Sequence, residues 1–389
     1  MGSDLLIHSF FLIFACSAIL ATIALYSRQP LIVVYIITGI ILGPSGTALI
    51  NDPEIINSVA RFGIIFLLFL LGLDMQPSKL IKTFRKALLV GLTTSLVFFI
   101  IGFLIASAFG YAETETVIIG VAMMFSSTII GIKLLPTTVL HHRQTGEIMI
   151  SLLLIQDLIA ILVLLIIGGG LIDFSGAEKI VQVVVSFPLL VVSCWLFVKM
   201  ILIKLLEKFD VFHEYIFLIA IGWCLGLAEL FELAGLSLEI GAFIAGLTIA
   251  TNPIALYIAD HLKPLRDFFL VLFFFSIGAG FKLDMLSQVI IPAIVFAIAM
   301  LISKPIAFKL MLGGMSDNRA LNWETGIRLG QISEFSLLVA FVATTQNLIG
   351  QEASHLIQAT AILTFLVSSY LVVFKFQTPI AVNEKLRKD

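Results

Sequence analysis

The chain has 389 residues, of which 60% are hydrophobic and 12% charged, and its formal net charge is -2. Polar side chains are too few to cover the surface of a water-soluble protein of this length, so the composition leaves no room for a soluble domain. The small net charge gives no support for nucleic-acid binding. This composition is typical of a protein that lies largely in lipid.

Apolar stretches of membrane-crossing length recur along almost the whole chain, since a transmembrane helix needs about 20 mostly apolar residues. The first stretch follows Asp4 rather than basic residues and is too long for the core of a signal peptide, so it is predicted to be a retained span. The predicted fold class is an all-α polytopic membrane protein. Its thirteen predicted transmembrane helices are 5–26, 30–49, 58–74, 87–109, 114–134, 146–170, 180–206, 214–233, 237–253, 267–281, 287–312, 324–345 and 354–375.

The Lys and Arg residues are concentrated in every second connection between spans. Lys82 and Arg85 lie between the third and fourth spans, for example, whereas connections on the opposite side carry acids such as Glu113 and Glu115. Cytoplasmic connections of membrane proteins are rich in Lys and Arg. The N-terminus is therefore predicted to lie outside and the C-terminus in the cytoplasm, with 376–389 as a short cytoplasmic tail.

One sequence pattern occurs twice: Leu-Asp-Met at 73–75 follows the third span, and Leu-Asp-Met at 283–285 follows the tenth. Seven spans, an odd number, separate the two copies, so the copies cross the membrane in opposite directions. The transmembrane domain, 1–375, is predicted to contain two inverted-topology six-helix repeats joined by a linker helix. Their approximate bounds are 5–170 for the first repeat, 180–206 for the linker and 214–375 for the second repeat.

Proteins built from inverted repeats bind their substrate near the bilayer midplane, where discontinuous helices from the two repeats meet. The fifth and twelfth spans are the matching pair, and both carry polar residues that can satisfy an interrupted backbone or offer oxygens to a cation. We therefore expect both spans to be discontinuous helices. These polar residues are Ser126, Ser127 and Thr128 in the fifth span and Gln331, Ser333 and Glu334 in the twelfth.

The sixth span places an amide and a carboxylate, Gln156 and Asp157, in an otherwise apolar helix. A mid-membrane Asp costs about 3 kcal/mol on insertion scales, so Asp157 is a candidate functional group. Lys304, which precedes Pro305 in the eleventh span, is the predicted ion-pair partner of Asp157 in the empty state. A proton and a cation would then compete for one carboxylate, which is sufficient for antiport. A purely structural ion pair is the alternative.

Two charged residues of the twelfth span, Arg328 and Glu334, are six positions apart and need not face each other on one helix. We expect each to stabilise the broken helix through a neighbour or a backbone end. The three cysteines, Cys16, Cys194 and Cys224, lie in apolar stretches without metal-ligand spacing. Neither a disulfide nor a cysteine-based metal site is predicted.

Taken together, these residues resemble those of the bacterial cation:proton antiporter-2 family, and in particular its Kef-type potassium/proton branch. The Gln156-Asp157 pair is similar to Kef-type members, whereas relatives that exchange sodium electrogenically often carry two adjacent acids at this place. The resemblance covers almost the whole chain. The segments that carry it are 35–44, 62–75, 126–128, 156–157, 241–246, 264–280, Lys304 and 331–336.

The resemblance implies an antiporter, not an enzyme, that exchanges potassium for protons across the bacterial inner membrane. It implies a homodimer within the lipid bilayer, in which a core domain with crossed discontinuous helices, the fifth and twelfth spans, moves against a dimerisation scaffold by elevator-like alternating access. Asp157 would be the carboxylate that binds the ion or the proton, with Gln156, Ser126, Ser127 and Thr128 around it. No cofactor is expected in this chain besides the transported ions, K⁺ or Na⁺ and H⁺.

Kef-type proteins usually continue into a cytosolic nucleotide-binding regulatory domain, whereas this chain ends soon after its last predicted span. The resemblance therefore implies either a naturally short member or a truncated chain. A regulatory domain or subunit is expected to be absent from it, and regulation by nucleotide is not carried over.

Three alternatives stay open or are weighed at this point. A sodium/proton antiporter of the same family uses the same ligand types, and a single titrating carboxylate favours, without fixing, one-for-one exchange. A cation channel would line a continuous pore with the same side chains. An intramembrane serine protease fits poorly: Gly43-Pro44-Ser45-Gly46 matches its GxSG motif, but all six His residues lie at span ends or in loops, away from a nucleophile.

Overall fold

A computed structural model of the chain describes residues 2–27, 29–74, 84–133, 144–168, 177–209, 212–234, 236–250, 252, 254–313 and 318–378. The regular elements within these ranges are helices, as the composition predicts. Seven of these helices are long and apolar enough to cross a membrane, by length and composition. The predicted all-α polytopic class is confirmed at this level.

Within its described residues, the first part of the chain contains eight helices. They are α1 (Gly2–Tyr26), α2 (Leu31–Leu42), α3 (Pro53–Asp74), α4 (Phe84–Ala108), α5 (Glu113–Met123), α6 (Thr128–Lys133), α7 (Gln144–Gly168) and α8 (Ala177–Phe197). A π-helical turn, Val198–Leu202, continues α8 directly into the next helix.

The described residues of the second part of the chain form eight more helices and one 3₁₀ turn, Leu283–Met285, which leads directly into a long helix. The helices are α9 (Ile203–Lys208), α10 (His213–Leu233), α11 (Leu238–Ala250), α12 (Ile254–Ala279), α13 (Leu286–Leu312), α14 (Arg319–Arg328), α15 (Glu334–Thr345) and α16 (Gln351–Lys375).

Both spans that were expected to be discontinuous are interrupted at their polar residues. The fifth predicted span consists of α5, which ends at Met123, and α6, which begins at Thr128. The twelfth consists of α14, which ends at Arg328, and α15, which begins at Glu334. Residues 124–127 and 329–333 are called the first and second breaks below.

Helix α12 extends well beyond the tenth predicted span, since it begins at Ile254 rather than near residue 267. Its first turns carry His261, Lys263 and Arg266, so they do not read as an apolar stretch. Pro264 lies inside the helix and removes only one backbone N–H donor, and the helix continues through it. Hydropathy indicates which residues of a helix lie in lipid, but it does not indicate at which residue the helix begins.

The chain divides into two compact units, one formed by 1–51, 82–163 and 277–389 and the other by 52–81 and 164–276. Each unit takes segments from both predicted repeats. The compact units therefore do not coincide with the repeats read from the sequence. The first unit contains both breaks.

The core of the first unit lies among α4, α7, α13 and α14. Phe98 of α4 packs edge-on against Phe308 of α13 with ring centroids 5.5 Å apart. Met149 and Leu152 of α7 are buried in the same cluster, as is Leu329, the first residue of the second break. The second break is therefore anchored in the apolar core on one side.

The second unit is built on a close approach of α3 and α11. Gly72 and Gly246 face each other across this contact, and a Cβ on Gly246 would lie only 2.1 Å from the Phe69 carbonyl oxygen. Phe66 stacks on Phe269 of α12 with ring centroids 4.4 Å apart. Helices in lipid gain little from burying apolar side chains, so small residues that allow close backbone contact are what holds such pairs together.

Large apolar side chains point away from the packed interior of many helices. Residues that are more than half exposed include Leu89, Leu189, Ile291 and Leu310. In water such a surface would promote aggregation, whereas in a bilayer it lies against lipid tails.

Two connections of the first unit are joined by hydrogen bonds. The connection between α4 and α5 contacts α16, and the connection before α16 contacts α5. The Tyr111 hydroxyl, between α4 and α5, donates to Glu352 Oε1 of α16 at 3.2 Å. The backbone N–H of Gly350 donates to Glu115 Oε1 at 2.9 Å. Burial and the nearby Glu352 and Glu115 carboxylates raise the pKa of Tyr111 above its usual value, which keeps the phenol a donor.

Candidate functional site

The first break is held by the side chains of its own residues and by α7. The Ser127 hydroxyl accepts a hydrogen bond from the Ile130 N–H at 3.1 Å and so caps α6. The Ser126 hydroxyl donates to the Leu329 carbonyl of the second break at 2.9 Å. These two hydroxyls, predicted as cation ligands, are thus engaged with backbone groups.

Gln156 of α7 is also engaged with the first break. Its Oε1 accepts the Ser126 backbone N–H at 3.0 Å, and its Nε2 lies 3.5 Å from the Met124 carbonyl oxygen. The side chain is fully buried. Because both ends of this amide contact the backbone, Gln156 holds the break in place beside the carboxylate of the next residue.

Asp157 lies one position further along α7, 2% exposed, and faces α6. The Thr128 hydroxyl lies 3.2 Å from its Oδ1 and 3.3 Å from its Oδ2. Of the residues grouped by the sequence as ion-binding, Asp157 and Thr128 are the two whose side chains meet each other. A carboxylate beside a hydroxyl inside a membrane protein is an oxygen site suited to a proton or an alkali cation.

Two serines cap α15, the helix that follows the second break. The Ser333 hydroxyl accepts the Phe335 N–H at 3.1 Å, and the Ser336 hydroxyl accepts the Ser333 N–H at 3.3 Å, which gives α15 a capping box. The Ser336 hydroxyl also donates to the Ala122 carbonyl in the last turn of α5. Ser333 therefore caps α15, and Ser336 joins this helix to α5.

Lys304 of α13 connects the two breaks, and this corrects its predicted pairing with Asp157. The fully buried ammonium donates to the Phe125 carbonyl of the first break and, at 3.2 Å, to the Gln331 carbonyl of the second. The Ser126 hydroxyl lies 3.4 Å away. No carboxylate in the described part of the chain pairs with Lys304. The reason is physical: an interrupted helix exposes carbonyl oxygens, which carry partial negative charge and attract the ammonium.

Arg328 and Glu334 border the second break on opposite sides. Arg328 pairs with Glu324 one turn earlier, with Nη2 and Oε1 2.9 Å apart, and Nη2 also donates to the Gln377 carbonyl at 2.8 Å. These contacts tie the end of α14 to the backbone near the end of the described chain. The Glu334 carboxylate, at the start of α15, lies close enough to Asp157 to act on it electrostatically.

Several residues of the site were not found from the sequence. The Phe98 ring lies 5.1 Å below the Lys304 ammonium in a cation–π contact. Thr364 and Ser368 of α16 contact the second break, the first at the Ile332 N–H and the second at the Gln331 side chain. The sequence did contain a signal for Thr364 and Ser368, because hydroxyl residues recur every fourth position along α16, at Thr360, Thr364 and Ser368.

Comparison with known families gives one match over nearly the whole chain. The family model described as "Sodium/hydrogen exchanger, transmembrane" matches residues 11–376. This match covers both breaks, Asp157 and Lys304.

Individual relatives and a solved structure agree with this match. The chain is 29% identical over 357 residues to K(+) efflux antiporter 6 of Arabidopsis thaliana, with 89% of this chain and 59% of that protein covered. It is 25% identical over 369 residues to the putative cation/proton antiporter YbaL of Escherichia coli (strain K12), with 91% and 65% covered. The chain thus spans about three-fifths of these curated relatives. The fold is similar to that of the sodium proton antiporter MjNhaP1 from Methanocaldococcus jannaschii, with a TM-score of 0.71, 20% identity, and 95% and 96% of the two chains covered.

Proposed function

The chain belongs to the transmembrane sodium/hydrogen exchanger family, and from this premise we propose that it exchanges a monovalent cation for protons, with Asp157 as the group that binds either. The observation that carries the proposal is the contact of the buried Asp157 carboxylate with Thr128, at the point where a helix is interrupted. A carboxylate at such a depth is expensive to keep in a membrane protein without a function.

Competition at Asp157 is sufficient for exchange. A proton neutralises the carboxylate covalently, and a cation neutralises it by coordination, so the two cannot bind together. If only the neutralised site crosses between inward-facing and outward-facing forms, each cation that moves one way obliges a proton to move the other way. One titrating carboxylate gives one-for-one exchange, and elevator-like alternating access is the movement that we propose for it.

The backbone arrangement proposed for this mechanism is thirteen spans in two inverted six-helix repeats with a linker helix at about 180–206. Interruptions at related positions of the fifth and twelfth spans support it. The contacts of Tyr111 with Glu352 and of Glu115 with Gly350 support one part of the proposed topology, because the two connections that it places on the same side of the membrane contact each other.

Potassium is the proposed cation, and sodium is the alternative. Gln156 stands where sodium-exchanging relatives often carry a second acid, and K(+) efflux antiporters of Arabidopsis thaliana are among the similar proteins. The fold alone is shared with a sodium proton antiporter. We further propose a homodimer in a bacterial inner membrane, with the N-terminus outside and no cofactor besides the transported ions.

Proton flux in proteoliposomes tests the proposal directly. Vesicles that contain a pH-sensitive dye and carry an imposed proton gradient receive potassium, sodium or choline in separate samples. We expect a response to potassium that saturates with concentration and is absent in Asp157→Asn. The matched control is Asp284→Asn, which removes an exposed carboxylate in the 3₁₀ turn and should leave the response intact.

Two results would contradict the proposal. Normal exchange by Asp157→Asn would remove Asp157 from the mechanism. Flux that neither saturates nor runs against a gradient when the opposing ion is supplied would favour a cation channel. A response to sodium but not to potassium would keep the antiporter and change its cation.

A further inference from the structure

Helix α16 presents a row of buried hydroxyl groups to the rest of the first unit. Thr360, Thr364 and Ser368 follow one another at intervals of four residues, so they lie on one face of the helix. The Thr360 hydroxyl donates to the Leu356 carbonyl of its own helix at 2.8 Å. The Thr364 hydroxyl donates to the Ala361 carbonyl of its own helix at 3.0 Å and also accepts the Ile332 N–H of the second break at 3.3 Å. Ser368 reaches the second break as well.

Ser368 makes the shorter of these two contacts. Its hydroxyl donates to Gln331 Oε1 at 2.7 Å, and both side chains are fully buried. On the other side of the same amide, Gln331 Nε2 lies 3.5 Å from the Ser127 carbonyl oxygen. The reverse orientation of the amide would place Oε1 against another carbonyl oxygen, so one orientation alone satisfies both neighbours.

The Ser127 carbonyl belongs to the peptide group that joins Ser127 to Thr128. Thr128 in turn contacts Asp157 through its hydroxyl. A chain of contacts therefore runs from Ser368 through the Gln331 amide to the peptide group that carries the Thr128 side chain. Ion preference at an oxygen site depends on where the coordinating oxygens lie and how freely they adjust. Displacements of about 0.5 Å are enough to matter in a functional site.

We propose that Ser368 is a positioning residue that sets the cation preference of the site at Asp157, and that it acts through Gln331. Ser368 does not contact Asp157 and is not a ligand. This inference rests on the proposed function for the identity of the site, but cation binding can be measured without transport. Removing the Ser368 hydroxyl frees the Gln331 amide to shift against the Ser127 carbonyl. That carbonyl keeps its bond to the Gly131 N–H at 3.1 Å, so the expected effect on the Ser127–Thr128 peptide group is a small displacement.

The test is cation-dependent thermal stabilisation of the purified full chain. Potassium or sodium is titrated at constant ionic strength, with choline as the balancing ion, and apparent Kd values follow from the rise in Tm, because a ligand that binds only the folded state stabilises it. We expect Ser368→Ala to change the ratio of the potassium and sodium Kd values by about two- to tenfold, the equivalent of one ordinary hydrogen bond. Thr360→Val, which removes a hydroxyl bonded to its own helix, should leave the ratio unchanged.

A double variant tests whether Ser368 acts through Gln331. In a Gln331→Met protein the amide is already gone, so adding Ser368→Ala should change the ratio no further. If Ser368→Ala cannot be purified, Ser368→Cys keeps most of the volume with a weaker donor and should move the ratio in the same direction by less.

Three outcomes overturn the inference. In the first, the ratio of the Kd values stays unchanged in Ser368→Ala. In the second, the affinities for both cations fall equally, as a general loss of structure would cause. In the third, Ser368→Ala still changes the ratio in the Gln331→Met background. Absence of cation-dependent stabilisation in the unmodified protein would remove the cation site itself. Loss of proton exchange with an intact cation ratio would contradict the proposed function alone.

Discussion

A buried ammonium that contacts two carbonyl groups is the central charged feature of the first unit. Lys304 donates to Phe125 and Gln331, one residue from each break, and is fully buried. Hydrogen bonds to a charged group contribute more than neutral ones, and carbonyls left without a donor in a buried position are costly. Lys304 therefore stabilises the folded protein as well as the site.

Replacing Lys304 by methionine tests this role. We expect Lys304→Met to lower the free energy of unfolding by about 2 to 4 kcal/mol, because two buried carbonyls lose a charged donor. Lys309→Met is the control, since Lys309 lies on the same helix but is exposed and contacts the Trp323 ring. Tm measurements in one detergent compare the two, and equal Tm values would contradict the structural role.

The strained backbone at Ala48 leads to a prediction of increased stability. Ala48 has φ at +58°, in the left-handed region, although it carries a Cβ. Such a residue costs roughly 1 kcal/mol relative to glycine at the same φ. Ala48→Gly is therefore expected to raise Tm slightly, whereas Ala106→Gly, which removes a fully buried methyl group from the last turn of α4, should lower it. A lower Tm in Ala48→Gly would show that the turn gains more from alanine than it loses in strain.

The sequence located the polar residues of the site but not their partners. Asp157 and Gln156 are conspicuous in an apolar helix, and the family resemblance that they helped to predict is confirmed by the family match and the relatives. Lys304 was paired with the wrong group, because charge complementarity suggested a carboxylate while the interruptions supplied carbonyls. Hydroxyls such as those of Thr360 and Ser368 look alike in the sequence, and only packing decides which one bonds outside its own helix.

At the scale of elements, the interruptions were predictable because clustered Ser, Thr and Gln residues inside an apolar stretch are expensive unless backbone groups need them. The start of α12 was not predictable in the same way, since its first turns are charged. The close contact of α3 with α11 also needed the structure, because Gly72 and Gly246 are far apart in the chain.

That contact gives a prediction for the second unit. A Cβ on Gly246 would lie 2.1 Å from the Phe69 carbonyl oxygen, so Gly246→Ala must push the two helices apart. We expect a destabilisation of about 1 to 3 kcal/mol, the range for overpacking. Gly226→Ala in α10 is the matched control, because a Cβ on Gly226 would have nothing within 4 Å and alanine favours helix. Unfolding in a mild detergent should separate the two variants, and similar midpoints would argue against tight packing at Gly246.

At the scale of the whole molecule, the proposed topology places successive connections on opposite sides of the membrane, and labelling tests this orientation. In a background without Cys16, Cys194 and Cys224, single cysteines are placed at two exposed positions, Gln351→Cys and Arg319→Cys. A membrane-impermeant thiol reagent applied to right-side-out vesicles should label position 351 and should reach position 319 only after permeabilisation. The reverse pattern would invert the proposed topology.

The position of Lys304 also has a consequence for how the protein is made. Helix α13 leaves the ribosome after residue 125 but before residue 331, so one of its two carbonyl partners does not yet exist when it inserts. A lysine at the centre of a span opposes insertion by about 2.5 to 3.5 kcal/mol. Leucine and isoleucine each offset about 0.3 to 0.6 kcal/mol, and α13 belongs to a segment with a mean hydropathy of 2.5. We expect the summed insertion free energy of the apolar residues to exceed the cost of Lys304. Helix α13 should therefore stay in the bilayer during synthesis, until residues 329–333 are made and can accept hydrogen bonds from the ammonium.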